Sequence, residues 1–439
     1  MKHRFFYSAF ASLAIMIAGL CIGQFNAQAR EVEIELFVEP QWTFDAVFDF
    51  HGGLAAVEYF TAIWGGYHDL GYIGLDGDFV IPPVYRHAFT FYAYRGAPHF
   101  VYGTAGIMSR EDGGVAFFNA RGERLTDFIF TDARNFSDGL AATRIGRDGW
   151  EFDEDEQEPP APQWGFVDVY GNIAIPFEFD YVADFSEGLA AVLRGNYFGF
   201  INTAGELVIP FDFMVTRSPF MEEPYLPYFL DGRAIITYST SGTVAWHGDE
   251  DTTSTSIIDT NGNIIMSFST GWVMPFTHDR IIVRNNQESI IMDASGNVLA
   301  RFEWPEMLSP PRRGYELATY TIRVGHEIRQ GFVNTDGDVV IAPQFNSVNP
   351  FSEGLAAVRD DHHRWGFINE RGDLIIPHAF DDVRDFSEGF AAVMQLVDGH
   401  ALWGYVDTEG NIAVPLVFHH ARDFSEGLAW VGMPNPRYD

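Results

Sequence analysis

Short apolar runs, each closed off by Gly, Asn, Asp or Pro, recur along almost the whole chain, and none is prolonged into a sustained 3.6-residue period. That pattern predicts β-strands and almost no helix beyond the first thirty residues. Gly188–Val192 (GLAAV) and Trp365–Asn369 (WGFIN) are typical, being rich in β-branched and aromatic residues and bounded by turn formers. Within the second run Trp365 and Phe367 share one face of the strand while Gly366 and Ile368 share the other. Both faces are apolar, so the strand is expected to be covered on both sides. In Asn369-Glu370-Arg371-Gly372 and Asp407-Thr408-Glu409-Gly410 a side chain able to bond its own backbone opens a turn, and a glycine supplies its positive-φ position. Pro176, Pro210, Pro377 and Pro415 then close the following strand, since proline has no N–H to give a ladder.

These elements repeat in a fixed order of strand, variable loop, strand, tight turn, strand and connector. The plainest phrase is FSDGLAAT at Phe136–Thr143, FSEGLAAV at Phe185–Val192 and Phe351–Val358, FSEGFAAV at Phe386–Val393 and FSEGLAWV at Phe424–Val431. Counting weaker copies, its glycine or equivalent falls at 53, 96, 139, 188, 232, 279, 314, 354, 389 and 427, at spacings of 35 to 49 residues. Phe351, Phe386 and Phe424 read as plugs under the connectors, and Ser-Glu-Gly reads as a solvent-facing bend. The fold class is therefore all-β, a tandem array of about ten short antiparallel meander or hairpin repeats. An open superhelical solenoid is favoured over a closed β-propeller, because propeller blades usually number about four to eight. Residues 1–29 are set apart as a signal peptide, followed by repeats at 30–215, degenerate repeats at 216–329 and repeats again at 330–439.

The second phrase of each unit, seen at Trp164–Asp180, Phe198–Phe213, Trp365–Asp381 and Trp403–Phe418, carries a family likeness. Its tryptophan-glycine pairs Trp164-Gly165, Trp365-Gly366 and Trp403-Gly404, the downstream turn glycine, the Ile-Pro or Val-Pro strand end and the FSEGLAAV phrase together resemble the WG repeat family of bacterial secreted and envelope proteins. Residues 45–215 and 330–432 match well, whereas 216–329 match only in spacing and turns. Phe198-Gly199 and Gln330-Gly331 replace the pair. The resemblance implies a binding role and is tied to no single chemistry. From the residues alone, the motif tryptophans are core wedges between repeats, and each paired glycine leaves room for a close backbone approach.

Composition narrows the function classes. Lys2, His3 and Arg4, an apolar run from Ala9 to Ile22 and the small-x-small Ala27-Gln28-Ala29 read as a cleavable secretory signal, cut after Ala29. The run is too short to span a bilayer, so the mature chain is expected to carry no transmembrane span and to be secreted or held in the cell envelope. The first 29 residues contain the one cysteine, two of the 27 basic residues and none of the 61 acidic ones, so their removal takes the net charge from −34 to −36. Nucleic acid is excluded as a partner on that charge.

No nucleophile elbow, phosphate loop or dinucleotide fingerprint is present, so no catalytic residue, cofactor or metal ligand is assigned and the chain is read as a non-enzyme. Asp360-Asp361-His362-His363-Arg364 reads as a solvated loop. Asp259-Thr260-Asn261-Gly262-Asn263 and Asp336-Gly337-Asp338 invite calcium, but turn chemistry already explains them. The acidic insert Glu151–Pro160 reads as a solvated excursion. Phe220, Tyr225, Tyr228, Trp246, Trp272 and Trp304 stand outside the repeat pattern and are the candidate ligand-stacking residues. The expected function is an exported repeat scaffold that binds a protein or cell-envelope component. The alternative is a glycan-binding or glycan-processing protein with its site in the degenerate middle.

Overall fold

In a computed structural model of the chain, the structure describes residues 4–8, 35–36, 46–60, 68–85, 104–108, 114–146, 163–217, 224, 226–241, 245–246, 253–268, 272–277, 279–284, 287–303, 306–312 and 314–432. The described residues form strands and turns throughout, as the apolar pattern predicts. Eight contiguous segments, 46–85, 132–179, 181–214, 229–268, 272–303, 307–345, 347–380 and 382–418, each fold into a four-stranded antiparallel sheet. Two further units are incomplete or composite. Thr104–Met108 pairs with Val115–Asn119, and His420–Ala421 and Leu428–Gly432 share a sheet with Arg4–Ser8 and Glu35–Leu36.

Within a complete blade the second strand is the GLAAV run and the third is the WG run. In the 347–380 blade these are Leu355–Arg359 and Trp365–Asn369, paired with Ala357 opposite Phe367 and Val358 opposite Gly366. The outer strand, Leu374–Phe380, buries only Ile376 and Phe380 and is otherwise half-buried or exposed, while the inner strands are covered on both sides. The glycine of the WG pair has a geometric cause. A Cβ on Gly366 would lie 2.5 Å from the carbonyl oxygen of Ile376, and one on Gly199 would lie 2.5 Å from that of Ile209. The outer strand bulges here as it approaches its proline, so its backbone presses on the glycine.

Each hydrophobic cluster spans two consecutive units. The recurrent joint sets the phenylalanine of one FSEG phrase against the third-strand ring of the preceding unit. Examples are Phe185 on Phe166 at 4.7 Å between centroids, Phe351 on Phe332 at 4.8 Å, Phe386 on Phe367 at 5.0 Å and Phe424 on Tyr405 at 5.0 Å. Tilted and edge-to-face rings at these spacings add to the burial term. Phe351, Phe386 and Phe424 are almost wholly buried, as expected of plugs.

The Ser-Glu-Gly bend, whose glutamates are exposed as read, is also the second part of the joint. In Ser352, Ser387 and Ser425 the hydroxyl donates to the carbonyl of the next unit's phrase, at Phe386, Phe424 and Phe50. The glutamate that follows accepts backbone N–H groups from the next unit's turn. Glu187 receives Asp231 and Gly232, Glu353 receives Glu388 and Gly389, and Glu388 receives Gly427. These glutamates hold φ of 53 to 56°, a left-handed conformation that costs a non-glycine residue roughly 1–2 kcal/mol. Charge-assisted hydrogen bonds, two each at Glu187 and Glu353 and one at Glu388, offset that cost.

The same joint closes the molecule on itself. Glu426 accepts N–H from Gly52 at 2.8 Å and from Gly53 at 2.7 Å, and Ser425 donates to the carbonyl of Phe50 at 2.7 Å. Leu428 and Trp430 of the last unit pack with Phe50, Ala55, Val57, Ile73 and Phe79 of the first. The open superhelical solenoid is thereby overturned: the chain is a closed β-propeller with eight complete blades, and the two other units lie in the same ring. The variation in repeat length falls in the loops, so every sheet keeps the same interface and the small turn between neighbours accumulates to a full circle. The stretch 216–329 contributes two complete blades and the beginning of a third, and is one sector of this ring.

Candidate functional site: the loop-bearing face

The antiparallel order sorts the connections onto two faces. Turns between first and second strands, and between third and fourth, open on one face. The second-to-third loops and the blade-to-blade connectors open on the other.

The first face is committed to structure. Besides the clasps it carries turns in which Asp168, Asp259, Asp293, Asn334, Asn369 or Asp407 accepts two backbone N–H groups from residues two and four further on. The Asn263 side chain, helped by backbone donors, lowers the Asp259 carboxyl, and Asn297 does the same for Asp293. At Asp168 burial pushes upward, and the bonds from Asn172, Tyr170 and Gly171 outweigh it and lower the group. The carboxylates that invited calcium at Asp259 are thus engaged by their own turn. Among the described residues no three His, Cys, Asp or Glu side chains are arranged to hold a metal.

The second face carries the length variation of the chain. Asp360–Arg364 occupies a second-to-third loop there and is a built turn. Asp360 accepts N–H from His362 and Arg364, Arg364 pairs with Asp381, and Asp361 pairs with Arg329. Burial pushes the Asp360 carboxyl up, and the backbone bonds from Arg364 and His362, with the field of His378, bring it below its ordinary range. The acidic insert Glu151–Pro160 lies outside the described residues.

Of the candidate stacking residues, Trp272 lies on this face: it opens the first strand of the 272–303 blade opposite Arg284, the last residue of the second strand, and is 63% exposed. Tyr228 directly precedes Phe229–Leu230, whose pairing with Ala234 and Arg233 sets it close to the clasp turn instead, and is 52% exposed. Ala245–Trp246, in the second-to-third loop of the 229–268 blade, pairs in parallel with Thr216–Arg217, which follows the 181–214 blade. Phe220, Tyr225 and Trp304 lie outside the described residues.

The motif tryptophans are placed differently. Trp164 is 2% exposed and meets the guanidinium of Arg134 at 4.8 Å and the ring of Tyr181 at 5.5 Å. Trp365 and Trp403 are half-buried, with Arg359 and Arg384 over their rings at 5.8 and 5.9 Å. Phe198, in the position of the missing tryptophan, is fully buried against Phe200 and Phe213. Gly165 and Gly404 repeat the close backbone approach of Gly199 and Gly366. These rings belong to the blade interior, with arginine from the same chain as their cationic partner.

Sequence reasoning missed two features. One is Trp430, which stands where other second strands have Ala142, Ala191, Ala357 or Ala392. Each of those alanines lies opposite a third-strand ring, as Ala191 opposes Phe200 and Ala392 opposes Tyr405. At the seam the indole of Trp430 supplies the bulk that a third strand supplies elsewhere. The other is a set of charges beside the FSEG phrases. Asp423 of the last unit lies near Asp49 of the first, with Asp385, Arg384 and Arg312. Burial, with Asp49 and Asp385, raises its carboxyl against the opposing pull of Arg384 and Arg312. Both features were visible as departures from, or repeats of, one phrase, but nothing local marked them as joints.

The model of the WG containing repeat matches residues 71–93, 117–147, 164–197, 198–223, 331–361, 365–395 and 403–433. No curated protein matches the sequence. Among solved structures the chain is similar to BamB from Moraxella catarrhalis, at 11% identity over 70% of this chain and 87% of that one, with a TM-score of 0.30. Dipeptidyl peptidase 4 from Porphyromonas gingivalis is similar at 11% identity over 75% of this chain and 60% of that one, with a TM-score of 0.45. AztD from Citrobacter koseri is similar at 11% identity over 76% and 96%, with a TM-score of 0.30. These likenesses assign no activity. Seven matched stretches, five of which include a clasping bend, are decisive: the chain belongs to the WG-containing repeat family.

Proposed function

We propose that this repeat scaffold is exported, acts by binding rather than catalysis, and takes a protein or cell-envelope component on its loop-bearing face. The observation that carries the reading is the exposure of Trp272 at the loop end of its blade, on the face that the clasps leave free. Exposed rings on a rigid ring-shaped support suit recognition, because an aromatic side chain brings large area at low entropic cost. The acidic composition favours a neutral or basic partner over nucleic acid. Export rests on the basic start, the apolar run and Ala27-Gln28-Ala29.

A second reading, glycan binding, draws on the same ring, since a sugar face also stacks on exposed aromatics. Immobilised chain starting at Arg30, incubated with cell-envelope extract with and without calcium, tests both readings. We expect a specific protein or glycan component to be retained by the wild type and to fall at least tenfold with Trp272→Ala. Equal retention by wild type and variant overturns the proposed site, and retention of nothing specific in either condition overturns binding. Amino-terminal sequencing of the cell-derived protein checks export separately, with Arg30 as the expected first residue.

A further inference from the structure

The consecutive units 307–345, 347–380 and 382–418 differ in how far their second and third strands run toward the loop-bearing face. In the middle unit the last pair is Arg359 opposite Trp365, and the turn Asp360–Arg364 follows at once. The matching pairs in the units on either side are Thr321 opposite Gln330 and Met394 opposite Trp403, and there each hairpin continues for three more pairs. These are Ile322–Arg329, Arg323–Ile328 and Val324–Glu327 in one ribbon, and Gln395–Leu402, Leu396–Ala401 and Val397–His400 in the other. First and fourth strands stop short of both extensions. Two bare ribbons about 10 Å long therefore rise on either side of a low turn, at roughly 3.3 Å per residue. With packed sheets about 10 Å apart, a slot one layer wide is left between them.

Alternation fixes what each ribbon turns into the slot. Ile328 shares a face with Phe332, which packs against Val348, Phe351 and Ala356 of the middle unit, and Arg323 lies opposite Ile328 on that face. Val397 shares a face with Val393, which packs on Phe367 and Ile376 of the middle unit, and with Gln395, whose side-chain amide donates to the carbonyl of Ala379. His400 lies opposite Val397. Ile328 is 48% exposed and Val397 40%. The floor is tied to both walls. Arg329 pairs with Asp361, while Asp381 accepts from Arg364 and, at 2.8 Å, from the Leu396 N–H. A two-stranded ribbon is marginal by itself, so these ties set the walls in place before anything binds.

We propose that this slot docks an extended segment of a partner protein, one that carries a carboxylate between apolar side chains. The inference rests on the reading of the loop-bearing face as a binding face and adds a second place on it. Ile328 and Val397 offer the apolar walls. Charge selects the rest. In a chain of net charge −34, Arg323 is exposed and has no ion pair among the described residues, whereas the carboxylates of the floor are engaged. Asp360 takes the N–H groups of His362 and Arg364, Asp361 takes Arg329, and Asp381 takes Arg364 and Leu396. The segment stands where the middle unit has no ribbon of its own. A helix would meet walls only two strands across, about 5 Å from strand to strand.

Other occupants fit less well. A second copy would bury only the faces of ribbons three pairs long, far short of the roughly 1,200 Å² of a stable pair, and would bring the same negative charge. A sugar would find no Trp, Tyr or Phe among the side chains that the two ribbons turn into the slot.

Random peptides displayed on phage and selected on the chain starting at Arg30 test this, with the most enriched sequence made as a fluorescent peptide for anisotropy titration. We expect an acidic residue between apolar ones, and affinity reduced at least about tenfold by Ile328→Asp/Val397→Asp and by Arg323→Glu. Replacing the acidic residue of the peptide with lysine should restore binding to the Arg323→Glu chain, which separates a direct charge contact from damage to the fold. No enriched sequence, an enriched sequence without a carboxylate, or binding indifferent to both variants overturns the proposal. A dimer in sedimentation equilibrium that Ile328→Asp/Val397→Asp dissociates also overturns it, in favour of a second copy. Trp272→Ala should leave the affinity of the peptide unchanged. Peptide binding lost in Trp272→Ala and kept in the slot variants overturns the slot and supports the Trp272 site, whereas slot-dependent binding with no effect of Trp272→Ala on envelope retention supports the slot and overturns that site alone.

Discussion

A glutamate held at positive φ in several copies of one phrase is a strain that the fold must offset. In Glu187, Glu353 and Glu426 the offset is the pair of oxygens that reach the next unit, and in Glu388 it is one of them. Glu426→Ala should therefore destabilise the chain by about 1–3 kcal/mol, the cost of leaving the Gly52 and Gly53 N–H groups without their acceptor. Denaturant unfolding measures this, with Glu370→Ala as a surface control expected within about 0.5 kcal/mol of wild type. Gly366→Ala should cost more than a surface change, because its Cβ would meet the Ile376 carbonyl oxygen at 2.5 Å and the bulge has no slack. Trp430→Ala should cost about 3–5 kcal/mol, since it empties the seam.

Titration acts at the scale of elements. The folded-state carboxyls of Asp168 and Asp259 lie below their ordinary values, so each contributes stability that is present above the unfolded pKa and is lost as pH falls through the folded one. Asp423 has the opposite sign. Its raised carboxyl contributes stability that is present at low pH and is lost as pH rises through the folded value, because the ionised form faces Asp49 and Asp385. Asp423→Asn should accordingly raise the melting temperature at pH 7 and leave it nearly unchanged at pH 3, and thermal scans at the two values check this. A variant less stable than wild type at pH 7 would contradict the reading of the seam. Strand and turn positions were legible in the sequence because alternation, turn glycines and strand-ending prolines are local signals. The partner of Ser425 and Glu426 was not, since it lies more than 370 residues away and the bend that presents them looks like any polar turn.

At the scale of the whole molecule, repeat spacing says how long each unit is and nothing of the angle between neighbours. That is why about ten marked positions read as an open array. What distinguishes a ring is the seam, where Trp430 departs from the alanine of the other FSEG phrases without marking a joint by itself. The candidate site was legible in part for the opposite reason. Tyr228 and Trp272 stood out because the repeat did not explain them, and the register then placed Trp272 at the loop-bearing face and Tyr228 beside a clasp turn. Closure also orders that face, since a ring fixes all of its loops around one rim.

Closure is best measured by pulsed electron paramagnetic resonance between spin labels at Leu75→Cys and Thr408→Cys, in the chain starting at Arg30, which has no cysteine of its own. Both positions are exposed turn residues on the clasp face, in the first and last complete blades. A closed ring, with one unit between these blades across the seam, predicts a narrow distance distribution on the order of 20–35 Å, given sheets packed about 10 Å apart. An open array would separate the labels by roughly 80 Å or more, and a distribution without the short peak would contradict the closed ring.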